Sequence, residues 1–204
     1  MRRMSLVPVL ASTLTVIALG ACNRQAAVDT SATPAPATTS AANPAQATVA
    51  PVASVDHTPT FKGYGDLKFG MTSKEMRDTW KAPLSGRAAA DPGGCYILAP
   101  DASAPKSLAL MVEGDKLVRY DVGNDAEAAP GGGKVGMGID QIRKLYAGRI
   151  REQPAKYVPG AIDLRVSADD DSGSALVFET DASGKVTSWR VGQPPAVDYV
   201  EGCS

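Results

Sequence analysis

The chain has 204 residues, with 21 Lys and Arg against 22 Asp and Glu and one His, a formal net charge of −1. A nucleic-acid binder needs a basic face to displace phosphate counterions, and no Lys/Arg cluster occurs here, so nucleic acid is excluded as a partner. No apolar run reaches the roughly 20 residues that a spanning helix requires.

In chain order, Arg2 and Arg3 supply a positive start and Leu6 to Leu19 an apolar run of 14 residues, the layout of a signal peptide. The run ends in Leu19-Gly20-Ala21-Cys22, which resembles the lipobox of bacterial lipoproteins. That resemblance implies cleavage before Cys22, a diacylglycerol on its thiol and a third acyl chain on its amine. Two or more chains make a stable anchor where one is marginal. Ordinary cleavage after Ala18-Leu19-Gly20, leaving Cys22 a free thiol, is the alternative. The next residue is Asn23, not the aspartate that retains such proteins in the inner membrane. The resemblance therefore implies a lipid-anchored outer-membrane protein, facing the periplasm or the surface. Without residues 1–21 the chain has 183 residues and, having lost Arg2 and Arg3, 19 basic against 22 acidic groups.

With Cys22 assigned to lipid, Cys95 and Cys203 remain. An even pair in an oxidising compartment is expected to form a disulfide; two buried or intermolecular thiols are the alternative. From Asn23 to Thr60, 23 of 38 residues are Ala, Thr or Pro. Such a stretch cannot bury enough apolar surface to offset its ordering entropy, so residues 22–60 are expected to be the lipidated cysteine and a disordered tether. His57 falls near its end and reads as a solvated linker residue.

Residues 61–204 contain an internal correspondence. The stretch from Phe69-Gly70-Met71 to Trp80 aligns with Val135-Gly136-Met137 to Tyr146, keeping Gly-Met, an apolar residue at Met76 and Ile142, and Arg77 and Arg143. Thr72 and Glu75 have capping-box spacing, with Gly138 and Gln141 a weaker version. Helices are expected after both, ending before Pro83 and Gly148. Strands are expected at 95–99, 107–113 and 116–123, and again at 162–167, 175–179 and 185–192. Alternation places Leu108, Leu110 and Val112 on one face, with Val118, Tyr120 and Val122 likewise. The expected fold class is α+β: after a disordered N-terminal segment, two tandem repeats at about 63–124 and 133–193. Each would be a short helix packed on a small antiparallel sheet of three main strands.

This succession resembles the SmpA/OmlA family of small envelope lipoproteins and, in tandem, the β-lactamase-inhibitor-protein fold. The residues that carry the resemblance are Gly70-Met71-Thr72, Pro83 and Gly136-Met137. Lys81 stands where the pattern has a glycine, and Gly138 where it has a threonine. The resemblance implies protein binding in the cell envelope without catalysis and supplies no binding residue.

No histidine lies inside the domain, which removes the imidazole that most nucleophilic sites use and the commonest zinc ligand. Gly131-Gly132-Gly133-Lys134 lacks the Ser/Thr of a phosphate loop and reads as a flexible connector. Asp169-Asp170-Asp171 lacks the EF-hand spacing and reads as a solvated loop. The expected function is a non-catalytic protein-interaction module with no cofactor or metal. Its candidate partner contacts are Arg119, Asp121, Ser188 and Arg190, on strand positions facing away from the helices. A glycan or peptidoglycan site is the alternative, with Trp189, Tyr120 and Tyr157 as stacking residues. A carboxylate-based hydrolase is the third reading, since two carboxylates brought together by a fold leave no motif.

Overall fold

The computed structural model describes residues 56–203 apart from 87 and 92. The signal segment, Cys22 and the expected tether through residue 55 lie outside the described residues. Three two-residue strands come first: β1 (Pro59–Thr60), β2 (Gly63–Tyr64) and β3 (Leu67–Lys68), a small antiparallel sheet in that order. Ordered pairing thus begins two residues before the expected boundary at 61. Helix α1 (Ser73–Trp80) follows, then β4 (Cys95–Leu98), β5 (Leu108–Glu113) and β6 (Lys116–Val122). After α2 (Ile139–Leu145) come β7 (Ile150–Pro154), β8 (Ile162–Ser167), β9 (Ala175–Thr180) and β10 (Val186–Gly192).

Helix α1 forms where its cap is complete. The Thr72 hydroxyl accepts the Glu75 N–H at 3.2 Å, and the Glu75 carboxylate accepts the Thr72 N–H at 2.7 Å. At α2 only the reciprocal half exists, the Gly138 N–H donating to Gln141 Oε1 at 2.9 Å, because glycine has no side chain to return the bond. Met76, Trp80 and Ile142 are buried on the sheet-facing sides of these helices.

The expected architecture requires correction. The chain does not form two tandem helix-on-sheet repeats; it is mostly β, with a single seven-stranded antiparallel sheet in the order β4-β5-β6-β10-β9-β8-β7. Strand β6 pairs with β10 from Trp189 opposite Val122 to Gly192 opposite Arg119. A separate three-stranded unit would leave β6 or β10 as an edge with unpaired backbone groups. Joining them removes both edges and merges the cores: Tyr120 and Trp189, each fully buried, meet edge to face at 5.9 Å across the seam.

The sequence correspondence survives as local geometry. Gly70 and Gly136 sit at φ +88° and +85°, a left-handed turn that favours glycine. Each turn then bridges to the first buried residue of a seam strand. The Gly70 N–H donates to the Leu117 carbonyl and the Leu117 N–H to the Met71 carbonyl, both at 2.8 Å; Gly136, Met137 and Val186 repeat the exchange at 2.8 and 2.9 Å. The matched arginines differ, however. Arg77 donates to the Leu84 carbonyl, whereas Arg143 pairs with Asp140 and Glu152.

A bulge in β6 corrects the expected face assignment. Met111 pairs with Arg119 and Val112 with Leu117, so Val118 has no partner, and it is Leu117 that joins Tyr120 and Val122 in the core. The glycine connector is also packed rather than loose. The Tyr146 hydroxyl donates to the Pro130 carbonyl at 2.8 Å and accepts the Gly133 N–H at 3.0 Å. A Cβ on Gly133 would fall 2.4 Å from the Phe178 ring.

Candidate functional site: the strapped face of the sheet

Alternation along the strands gives the sheet two faces. One carries Leu110, Tyr120, Trp189, Leu164 and Phe178 beneath the helices. The other carries Ala109, Arg119, Asp121, Ser188, Arg190, Glu179 and Asp163, and the last residues of the chain cross it as a strap.

The strap is held by three kinds of contact. Val197, fully buried in a 3₁₀ turn (Ala196–Asp198), packs on Ala175 and Val177 of β9. Arg119 donates from Nη1 to the carbonyls of Ala196 at 3.0 Å and Tyr199 at 2.9 Å, while its Nε and Nη2 grip Asp121 at 2.7–3.0 Å. Arg190 donates from Nε to the Val197 carbonyl at 2.8 Å and pairs with Glu179. A guanidinium suits this work because its planar fork offers five donors, so one side chain can satisfy both carbonyls and a carboxylate. The third contact is covalent. Cys95 and Cys203 form a disulfide with Cα atoms 5.2 Å apart across 108 residues, tying the end of the strap to edge strand β4.

Arg165 adds an ion pair to Asp198 at 2.7 Å. Glu179 is partly buried, which alone would raise its carboxyl. The charge of Arg190, the hydrogen bonds from Ser188 (2.7 Å) and Arg190, and the charge of Arg119 outweigh burial and hold it below the usual carboxylate range. Asp163 lies opposite Glu179 in the β8–β9 register. Here burial and the Glu179 charge win, and its carboxyl is pushed up despite Arg190 and Gln153.

Two hollows flank the strap. A groove of about 620 Å³, within the size range of small-molecule pockets, is floored by Ile97 and Ala109 and walled by Asp121, Ser188 and Glu179. A smaller pocket of about 170 Å³ lies over β8 and β9, lined by Asp163, Glu179, Tyr157, Val158 and Val200.

All four sequence-derived contact residues lie on the strapped face, but in unequal roles. Arg119 and Arg190 are 5% and 4% exposed, and their donors are spent on the strap and on neighbouring carboxylates. They build the face rather than present it. Asp121 and Ser188 line the groove. Of the proposed stacking residues, Tyr120 and Trp189 are fully buried beneath the helices and only Tyr157 is exposed. His57 is exposed, with its ring 4.6 Å from that of Trp80. The aspartates at 169–171 sit in the β8–β9 loop, where Asp169 pairs with Arg149 and Asp170 lies 3.9 Å from Lys62. No group of metal-ligating side chains converges among the described residues.

Sequence reasoning singled out Tyr157 but missed Asp163, Val158 and Val200 beside it. The signal was available in Ile162-Asp163-Leu164-Arg165-Val166, whose alternation puts Asp163 and Arg165 on the face opposite the core. Nothing local indicated that Asp163 itself would be buried.

No family model matches the chain, and comparison with curated proteins finds no match. Among solved structures, similarity is found to an extracellular protein containing an SCP domain from Bacillus anthracis, at 11% identity and a TM-score of 0.41, covering 61% of this chain and 44% of that one. The uncharacterized protein YfeY from Escherichia coli is similar at 14% identity and a TM-score of 0.42, over 68% of this chain and 99% of that one. Both scores lie below 0.5, so neither fold nor function is taken from them.

Proposed function

We propose that this chain is a bacterial lipoprotein, acylated at Cys22 and held at the outer membrane, whose folded domain binds a protein partner in the envelope without catalysing a reaction. The observation that carries the binding reading is the strapped face. Three of the four exposed large apolar side chains among the described residues, Tyr157, Val158 and Val200, cluster beside its smaller pocket, and the larger groove adjoins that pocket through Glu179 and Thr187. Clustered exposed apolar side chains mark an interaction surface, whereas scattered ones need no explanation.

The rival readings find less support. A glycan platform would have to do without Tyr120 and Trp189, which are in the core. A carboxylate hydrolase would use two facing carboxyls of unequal pKa, and Asp163 is raised where Glu179 is depressed, but Glu179 is committed to Arg190 and Ser188.

Two measurements test the proposal. Mass spectrometry of the mature N-terminus is expected to find an acylated Cys22, and Cys22→Ser to release the protein from membranes; an unmodified thiol on the native protein removes the anchor from the proposal. Crosslinking in native envelopes, followed by capture, is expected to recover a stoichiometric protein partner whose contacts map to the strapped face. A partner mapped only to the helices, or none above background, overturns the binding reading.

A further inference from the structure

The smaller pocket of the strapped face holds a buried carboxyl that no described side chain pairs with. Asp163 is 5% exposed and faces a cavity of about 170 Å³. The half-buried acidic side chains beside it are paired, Asp121 with Arg119 and Glu179 with Arg190. Asp163 has no ion-pair partner among the described residues, and Arg190, whose charge reaches it, is already committed to Glu179 and the Val197 carbonyl. Lys156 at the rim points its charge elsewhere, 3.6 Å from Glu201 and 4.8 Å from the centre of the Tyr157 ring. A buried carboxylate without a cation is costly, which is why such groups are nearly always paired.

Beside Lys156, part of the mouth of the same pocket is apolar. Tyr157, Val158 and Val200 are 59%, 46% and 37% exposed. An acidic floor below an apolar collar complements one kind of group, a cation carried on an alkyl stem. Lysine and arginine are built that way, laying their methylenes on apolar surface while the charged head seeks polar company.

We propose that this pocket receives a lysine or arginine side chain of a protein partner, its stem against Tyr157, Val158 and Val200 and its charge beside Asp163. The inference rests on the reading of the domain as a protein-binding module and names the chemistry that module recognises. Binding would supply the missing counter-charge and cover the exposed collar in one step. Buried charge-assisted contacts of this kind, ringed by groups that exclude water, are what make an interface residue dominate its affinity.

The test uses the full mature chain in detergent and two probe peptides, acetyl-Gly-Lys-Gly-amide and its norleucine counterpart, which keeps the alkyl stem and lacks the charge. Backbone amide shifts of Val158, Asp163 and Val200 are expected to move saturably with the lysine peptide, with an affinity about tenfold above the norleucine peptide, the usual scale for one hydrogen bond to a charged group. Asp163→Asn, which keeps the shape and removes an uncompensated charge, is expected to abolish that preference without lowering the unfolding midpoint at neutral pH. Lys156→Ala is expected to keep it. Equal affinity for the two peptides, or a preference that survives Asp163→Asn, overturns the assignment. If envelope crosslinking recovers a partner yet the lysine peptide shows no preference, only the pocket assignment falls. If no partner is recovered, the protein-binding reading falls whatever the peptide does.

Discussion

Both faces of the sheet are covered, one fully beneath the helices and one in part by the strap, and the two coverings rest on different physics. Beneath the helices, Tyr120, Trp189, Leu164 and Phe178 lose essentially all contact with water in one continuous apolar core. That burial is non-directional and scales with apolar area, enough that the Trp189 indole N–H lies within it without a hydrogen-bond partner. On the strapped face, only Ala175, Val177 and Val197 form an apolar cluster. The rest is held by directed bonds: two arginines on backbone carbonyls, their carboxylate partners, and one disulfide. Such a face must match donors to acceptors individually, as Arg119 does with Asp121 and Arg190 with Glu179.

Variants can set the two faces against each other. The largest loss is expected from Trp189→Ala, about 3–5 kcal/mol for deleting a fully buried aromatic, measured by denaturant unfolding. A loss below about 1 kcal/mol would show that the core collapses to fill the space. Removing the disulfide by Cys203→Ser should cost about 2–4 kcal/mol, below the chain-entropy limit for so long a loop. Its distinguishing mark is locality: hydrogen exchange should rise in residues 196–203 and leave the helix face protected. Uniform exchange across the domain would mean that the strap and core unfold as one.

Arg190→Met comes next, at about 2–3 kcal/mol, since Glu179 loses its counter-ion but keeps some contact with solvent. This loss should depend on pH. Glu179 is depressed when folded, so it stabilises the fold above its unfolded pKa of about 4.3, and that contribution disappears as pH falls through the folded value. The gap between wild type and Arg190→Met should therefore be widest at neutral pH and close in acid; a gap constant with pH would place the cost in packing instead. The smallest effects belong to the helix caps. Thr72→Ala should lose about 1 kcal/mol, and Gly138→Ser should gain several tenths. Gly138 has φ −81° and ψ 154°, and an added Cβ would meet only Gln141 Oε1 at 3.7 Å, so nothing obstructs the gain.

Much of the local structure is legible in the residues. The Thr72–Glu75 cap, the helix ends, six strands of the large sheet and the Cys95–Cys203 pair all follow from short-range patterns or from counting cysteines. Strand β7 is not legible, because Ile150-Arg151-Glu152-Gln153-Pro154 is exposed along most of its length and carries no alternation; it is a strand only because β8 offers an edge to pair with. The β6 bulge escapes for the same reason. Strict alternation favours Val118, but the bulge places Leu117 in the core, where it also bridges to Gly70 and Met71.

The candidate site divides similarly. Alternation places Arg119, Asp121, Ser188 and Arg190 away from the helices, where they are found. It cannot distinguish a solvated arginine from one clamped under a returning chain end. Residues close in sequence determine caps, turns and which side chains share a face, because those depend on backbone geometry over a few residues. The joining of β6 to β10, the strap and the placing of Asp163 opposite Glu179 depend on contacts between residues well separated in the chain. Tertiary structure alone decided those, through the need to close sheet edges and satisfy buried polar groups.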